Sequence, residues 1–279
     1  MFTFINTSDD LIYLNKELLQ CPQVAIDTEF RRTTKDNMKL SLIQLNDSNE
    51  IYLVDCLLIK DPDKTFSFLS SNQVKKIFHS CKEDLEALNS WSNNEILNIY
   101  DTQTAHALLG GSFSISYKDL VKDKLGLYVS KEETRTNWLK RPLTEAQLNY
   151  AASDVYYLID LYDLQIEEFS EAKKLEWLDE ELNGSHLFSR ETEFSRDRLF
   201  IISKKDEKEI LYELDTIVKK ISRKENINHT LFLSKQNQKA LLNDTLLLGV
   251  DKSLDSITKW RKILIKKPYS DLLNNFEVF

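Results

Sequence analysis

Val24-Ala25-Ile26-Asp27-Thr28-Glu29-Phe30 reads as an extended strand. Successive side chains on a strand leave opposite faces, so Val24, Ile26, Thr28 and Phe30 line one side while Asp27 and Glu29 leave the other. The first set suits a core. The second places two carboxylates on one face, where they repel each other unless something positive lies between them. An Asp-x-Glu alone says little in a chain with 29% charged residues, so its meaning rests on what surrounds it.

Outward from this strand, Lys39–Leu45 and Ile51–Val54 read as two more, joined by the polar turn Asn46-Asp47-Ser48-Asn49. Val74–Phe78 and Ile96–Tyr100 add a fourth and a fifth. Leu11, Leu14 and Leu18 put a helix over about 8–20, and helical patterns recur over 81–91, 102–109, 116–125 and 145–168. Hairpin strands first, then strands alternating with helices, predict an α/β fold: a mixed sheet flanked by helices. Ser80…Glu83 and Thr144…Gln147 both fit the capping box that opens a helix, and Ser116…Asp119 is a looser version. Beyond about 170 the pattern is all-helical, with candidates at 171–182, 205–223, 234–246 and 253–265. The expected division is therefore 1–168, a connecting helix and linker over 169–204 with Asn183–Arg198 as linker, and a small all-α domain over 205–279.

At 279 residues and 42% hydrophobic content, the chain can bury a real core, which excludes wholesale disorder and collagen-like repetition. Three cysteines (Cys21, Cys56, Cys81) without CxxC spacing indicate neither a disulfide scaffold nor a thiol-rich zinc site. No apolar run approaches the roughly 18–20 residues that span a bilayer. The opening MFTFINTSDDLIYL has no basic region ahead of an apolar one, so it does not read as a secretory leader. A cytoplasmic, monomeric protein with no membrane partner is expected. The net charge of −8 is uneven: residues 1–164 hold 17 basic against 24 acidic groups, whereas 204–267 hold 15 against 9. The latter excess suits an anionic partner.

Asp84 falls in the first turn of the helix after Val74–Phe78, at a strand's C-terminal end, where ligands bind in open α/β sheets. An acid there also complements the helix dipole without further purpose. Tyr150 and Asp154 are four apart on a helix, hence neighbours on one face. The face carrying Leu148, Ala152, Val155, Ile159 and Tyr162 suits the core. Together Asp27, Glu29, Asp84, Tyr150 and Asp154 follow the order Asp-x-Glu … Asp … Tyr-x-x-x-Asp. This order resembles the DEDDy class of 3′→5′ exonucleases, and the surrounding text is similar to bacterial ribonuclease D. The resembling stretches are VAIDTEFRR (24–32), LIQL (42–45), IFHSCKEDLEAL (77–88), YDTQTAHALLG (100–110) and ETRTNWLKRPLTEAQLNYAASD (133–154). They cover about residues 1–165.

The resemblance implies a ribonuclease H-like exonuclease domain and hydrolysis of RNA from a free 3′ end, with 5′-mononucleotides released and tRNA precursors as substrates. It implies two divalent metal ions, Mg²⁺ or Mn²⁺, held by Asp27, Glu29, Asp84 and Asp154, with Tyr150 orienting the attacking water. His79, Gln44, Arg135, Trp138 and Arg141 become candidate substrate contacts, each with a plainer structural alternative. Asp101 reads as a structural neighbour. The C-terminal part resembles, weakly, the helical HRDC modules that follow such nucleases. Arg223, Lys224, Lys259, Arg261, Lys262, Lys266 and Lys267 would be its phosphate-facing cations. A DNA-directed exonuclease and a catalytically decayed nucleic-acid-binding module are the alternatives.

Overall fold

The computed structural model describes residues 2–34, 37–129, 136–183 and 202–276. Six strands form one mixed sheet: β1 (Thr3–Ile5), β2 (Gln23–Thr34), β3 (Asn37–Asn46), β4 (Ile51–Asp55), β5 (Lys75–Phe78) and β6 (Ile99–Asp101). The order across the sheet is β1-β4-β3-β2-β5-β6. β2 and β3, and β3 and β4, pair antiparallel; β1 with β4, β2 with β5 and β5 with β6 pair parallel. The helices are α1 (Ser8–Leu18), α2 (Pro62–Thr65), α3 (Lys82–Ser92), α4 (Thr102–Leu108), α5 (Tyr117–Leu125), α6 (Glu145–Tyr156), α7 (Leu158–Ala172), α8 (Leu175–Asn183), α9 (Lys204–Glu225), α10 (His229–Leu233), α11 (Lys235–Leu248), α12 (Val250–Leu254) and α13 (Lys259–Leu273).

The chain divides into two compact units, Met1–Ala105 with Ile115–Glu168, and His106–Ser114 with Phe169–Phe279. In the first, Val24, Ile26, Ile43, Leu45 and Val54 are buried with Leu11, Leu14 and Leu18 of α1 and Leu85 and Leu88 of α3 in one core cluster. Phe30 and Leu40 pack on it, so the odd-numbered positions of β2 face the other way. β2 and β3 shift register twice, between Arg32 and Thr34 and between Glu29 and Phe30, where Glu29 pairs with Leu42 but Phe30 pairs with Leu40. Ser41 is the extra residue of that bulge, and it is fully buried. In the second unit, Trp177 stacks on Trp260 at 5.1 Å. The Lys174 ammonium ties the 106–114 segment in by donating to the Leu108 and Asn226 carbonyls.

Four local expectations change. The helix expected over 145–168 breaks at Tyr157. Side chains from elsewhere satisfy the backbone there: Asn46 donates to the carbonyls of Val155 and Tyr156, while the Tyr117 hydroxyl donates to the Ser153 carbonyl and accepts the Tyr157 N–H. The buried positions of α6 are Gln147, Ala151 and Val155, leaving Leu148 and Ala152 half-buried. The Thr144–Gln147 capping box is present. The one expected at Ser80 is not, because Ser80 lies at φ +64° and the helix starts later. Asp101 takes over that role from β6: its carboxylate accepts the N–H groups of Ser80, Cys81, Gln103 and Thr104 at 2.8–3.1 Å. A carboxylate thus seats the turn before α3 and the start of α4 together. Strand β1, at three residues, carries no readable alternation. In the helical region, the span expected over 253–265 runs instead over 259–273, after the short α12. Apart from its first residue, the expected linker 183–198 lies outside the described residues.

Candidate active site

β2 delivers the first two acids. Asp27 and Glu29 leave the face opposite the core, beside Gln44 and Leu42 of β3. β5 ends at Phe78, the chain turns at Ser80, and the first turn of α3 supplies Asp84, which is 8% exposed and accepts a hydrogen bond from Thr28 at 2.5 Å. α6 brings Tyr150 and Asp154 one turn apart on one helix face, where the phenol lowers the pKa of the Asp154 carboxyl against its burial. Asp27, Tyr150 and Asp154 then line a cleft of about 480 Å³ together with His79, Leu158 and residues 116–119. That volume lies in the range of small-molecule pockets.

Electrostatically the acids act as a group. Burial pushes Asp27 well above the carboxylate range, and the charges of Asp84, Asp154 and Glu29 push it further. Glu29 is pushed up to about 8 by burial, then by Asp154 and Asp84. Asp84 is pushed up to about 7 by burial, against the pull of the Thr28 hydroxyl. Asp154 is pushed up to about 6 by burial, against the Tyr150 hydroxyl and the positive charge of Lys118. The Tyr150 phenol is itself pushed above its ordinary range by burial and then by Asp154 and Glu29, so it stays protonated. Four such carboxylates cannot all ionise side by side without a cation. Hard oxygen donors of this kind suit Mg²⁺ or Mn²⁺. As they stand, no three His, Cys, Asp or Glu side chains among the described residues close on one ion.

The remaining sequence candidates fall elsewhere. His79 lines the cleft, but its ring nitrogens lie 2.9 Å from the Thr102 hydroxyl and 3.0 Å from the Ile115 carbonyl. Gln44 is fully buried and does not reach solvent. Trp138 is 6% exposed and lies against Tyr150, ring centroids 6.1 Å apart. Arg141 turns inward: Nε and Nη2 bind the two oxygens of Asp55 at 2.5 and 2.8 Å, Nη1 donates to the Trp138 carbonyl and Nη2 to the Ser41 carbonyl. The bulged Ser41 hydroxyl also donates to the Trp138 carbonyl. Arg141 therefore fixes the Trp138 loop to the sheet instead of facing substrate. Arg135 lies outside the described residues. Within the second unit, four of the seven cations expected to face phosphate are in ion pairs: Arg261 with Glu181, Lys262 with Asp255, Lys266 with Asp251 and Lys224 with Glu225. The sequence reading missed Tyr117 and Lys118 as cleft residues. Only the weak cap at Ser116 hinted that a helix starts there.

The sequence pattern of 3′-5′ exonucleases matches residues 2–165. Ribonuclease D of Shewanella sp. (strain ANA-3) is 37% identical over 181 residues, 65% of this chain and 47% of that protein. Ribonuclease D of Escherichia coli (strain K12) is 36% identical over 160 residues, 57% of this chain and 43% of that protein. The matched stretch thus spans about half the length of these relatives. The crystal structure of Escherichia coli RNase D, described as an exoribonuclease involved in structured RNA processing, superposes with a TM-score of 0.84 at 22% identity, covering 99% of both chains. The fold is that of the RNase D structure, a ribonuclease H-like exonuclease fold with a helical C-terminal part.

Proposed function

Because the chain belongs to the 3′-5′ exonuclease family, we propose that it is a metal-dependent exoribonuclease that trims RNA from a free 3′ end and releases 5′-mononucleotides. The observation that supports this reading is that Asp27, Tyr150 and Asp154 line one cleft while the charges of Asp84 and Glu29 also act on Asp27. Asp27, Glu29, Asp84 and Asp154 would hold two divalent cations, Mg²⁺ or Mn²⁺. When bound, such a pair neutralises charge on the scissile phosphate and makes a water nucleophilic at neutral pH. The chain's own contribution is placement. Tyr150, protonated and one turn from Asp154, orients the attacking water instead of taking its proton. Trp138, fixed through Arg141 and Ser41, holds the face of the phenol. RNA precursors with 3′ extensions, tRNA among them, are the proposed substrates, and the second unit, read as HRDC-like, is the proposed accessory RNA contact. No helix among the described residues is long and apolar enough to cross a membrane.

The test is product analysis on 5′-labelled single-stranded RNA, with a matched DNA, in Mg²⁺ and in EDTA. A ladder shortening from the 3′ end of RNA and abolished by chelation is expected. Intact RNA bound by the protein in Mn²⁺ would instead mark a decayed binding module, and faster loss of the DNA would mark a DNA-directed enzyme.

Tyr150→Phe is expected to lower kcat about 10–100-fold, the range for losing a partner that orients a metal site. Mg²⁺ should still raise Tm in this variant, since the hydroxyl holds no ion. Equal kcat for the two proteins would remove the tyrosine from the reaction. The shift itself should depend on pH. Cation binding displaces protons from Glu29 at about 8, Asp84 at about 7 and Asp154 at about 6. Mg²⁺ should therefore raise Tm more at pH 8 than at pH 6, which differential scanning fluorimetry at both pH values measures.

A further inference from the structure

We infer that Lys118 grips an RNA phosphate within the cleft, a role that rests on the exoribonuclease reading and adds a substrate contact to it. The residue sits in the N-terminal turn of α5, whose residues 116–119 line the cleft together with Asp27, Tyr150 and Asp154. It is half-buried, and its ammonium stands 5.1 Å from the centroid of the Tyr150 ring. Among the described residues it makes no salt bridge. The other basic group of the lining, His79, has both ring nitrogens beside oxygen partners. Among the described lining residues Lys118 is therefore the cation outside any ion pair, and its charge already acts on Asp154.

What it would meet follows from the charge around it. Asp27 and Asp154 in the lining match cations, and an RNA strand lying across them brings phosphates beside the one being cut. Those flanking phosphates meet carboxylates unless a positive group stands nearby. Lys118 is placed for this, and the first N–H groups of α5, which have no partner within the helix, add the positive end of its dipole beside it. The Asp119 carboxylate in the lining works against an anion, though the Ser116 hydroxyl donates to it at 2.7 Å. A lysine is a compact charge on a flexible stem and accepts a phosphate in many orientations. That suits a strand that must advance one nucleotide per cycle without regard to sequence. The ring of Tyr150 beneath the ammonium keeps it over the cleft by cation–π attraction.

The test uses the full-length protein, Lys118→Gln and Lys118→Arg, with one 5′-labelled single-stranded RNA. Binding is measured in EDTA across a salt series, and kcat and KM are measured in Mg²⁺. For Lys118→Gln, Kd and KM should rise about 3–10-fold, and the slope of log K against log salt should shrink by about 0.7, the value for one lost contact to single-stranded nucleic acid. Lys118→Arg should restore both, and kcat should change far less than KM. An unchanged salt slope, or a loss confined to kcat, would overturn the inference. The second outcome would mean that the lysine acts on the Tyr150 ring alone. Failure of the broader reading looks different: the wild-type protein would leave RNA intact in Mg²⁺, whereas the salt slope in EDTA would still report on Lys118.

Discussion

Asp27→Asn is expected to lower RNA cleavage about a thousandfold or more, roughly 4 kcal/mol of barrier, while making the metal-free protein more stable at neutral pH. The first effect follows from its central position, since the charges of Asp84, Asp154 and Glu29 all act on it. The second follows from linkage. A carboxylate whose native pKa lies above its unfolded value binds more protons in the native state than in the unfolded chain across that interval. Stability then falls as pH rises from the ordinary carboxylate range toward the native value. Asparagine carries no such proton, and it also relieves Glu29, otherwise held at about 8. In EDTA at pH 8 the variant should unfold at a higher temperature than the wild type, and the gap should close near pH 4. A variant that unfolds earlier at both pH values would make Asp27 a structural residue and undo the site.

Arg141→Ala should produce the largest loss of stability. It leaves the Asp55 carboxylate, 1% exposed, without its partner. Removing one member of a buried ion pair costs about 3–5 kcal/mol, which in a domain of this size lowers Tm on the order of 10 °C. Replacing both residues with apolar ones, Asp55→Leu with Arg141→Met, should recover most of that loss, because the penalty lies in the uncompensated charge and not in the absence of the pair. Thermal unfolding of the two single variants and the double variant measures this. A small loss in Arg141→Ala would show that the guanidinium faces solvent after all, as a substrate contact would.

The strands were legible because their alternation is local: Ile26 and Thr28 inward, Asp27 and Glu29 outward, all within seven residues. The cap at Thr144 was legible for the same reason, both halves of the box lying within four positions. What escaped the sequence depends on partners far along the chain. Arg141 reads as a loop cation until Asp55, 86 positions away, is brought beside it. Ser80 reads as a cap until Asp101 takes its backbone N–H. The end of α6 is set by Asn46 and Tyr117, about 110 and 40 positions upstream. Gln44 gave a hint, since a polar residue flanked by Ile43 and Leu45 in a central strand is more easily buried than exposed. Lys118 gave none, because a lysine in a helix's first turn is ordinary, and only the fold sets it over a tyrosine.

The break at Tyr157 also isolates α6 mechanically. The helix bearing Tyr150 and Asp154 is anchored at its start by Thr144 and Gln147 and at its end by Asn46 and Tyr117. A continuous helix would act as a lever, carrying any pull on the chain beyond Leu158 back to the phenol. Here four side-chain anchors hold the helix at its two ends, which fixes the hydroxyl locally.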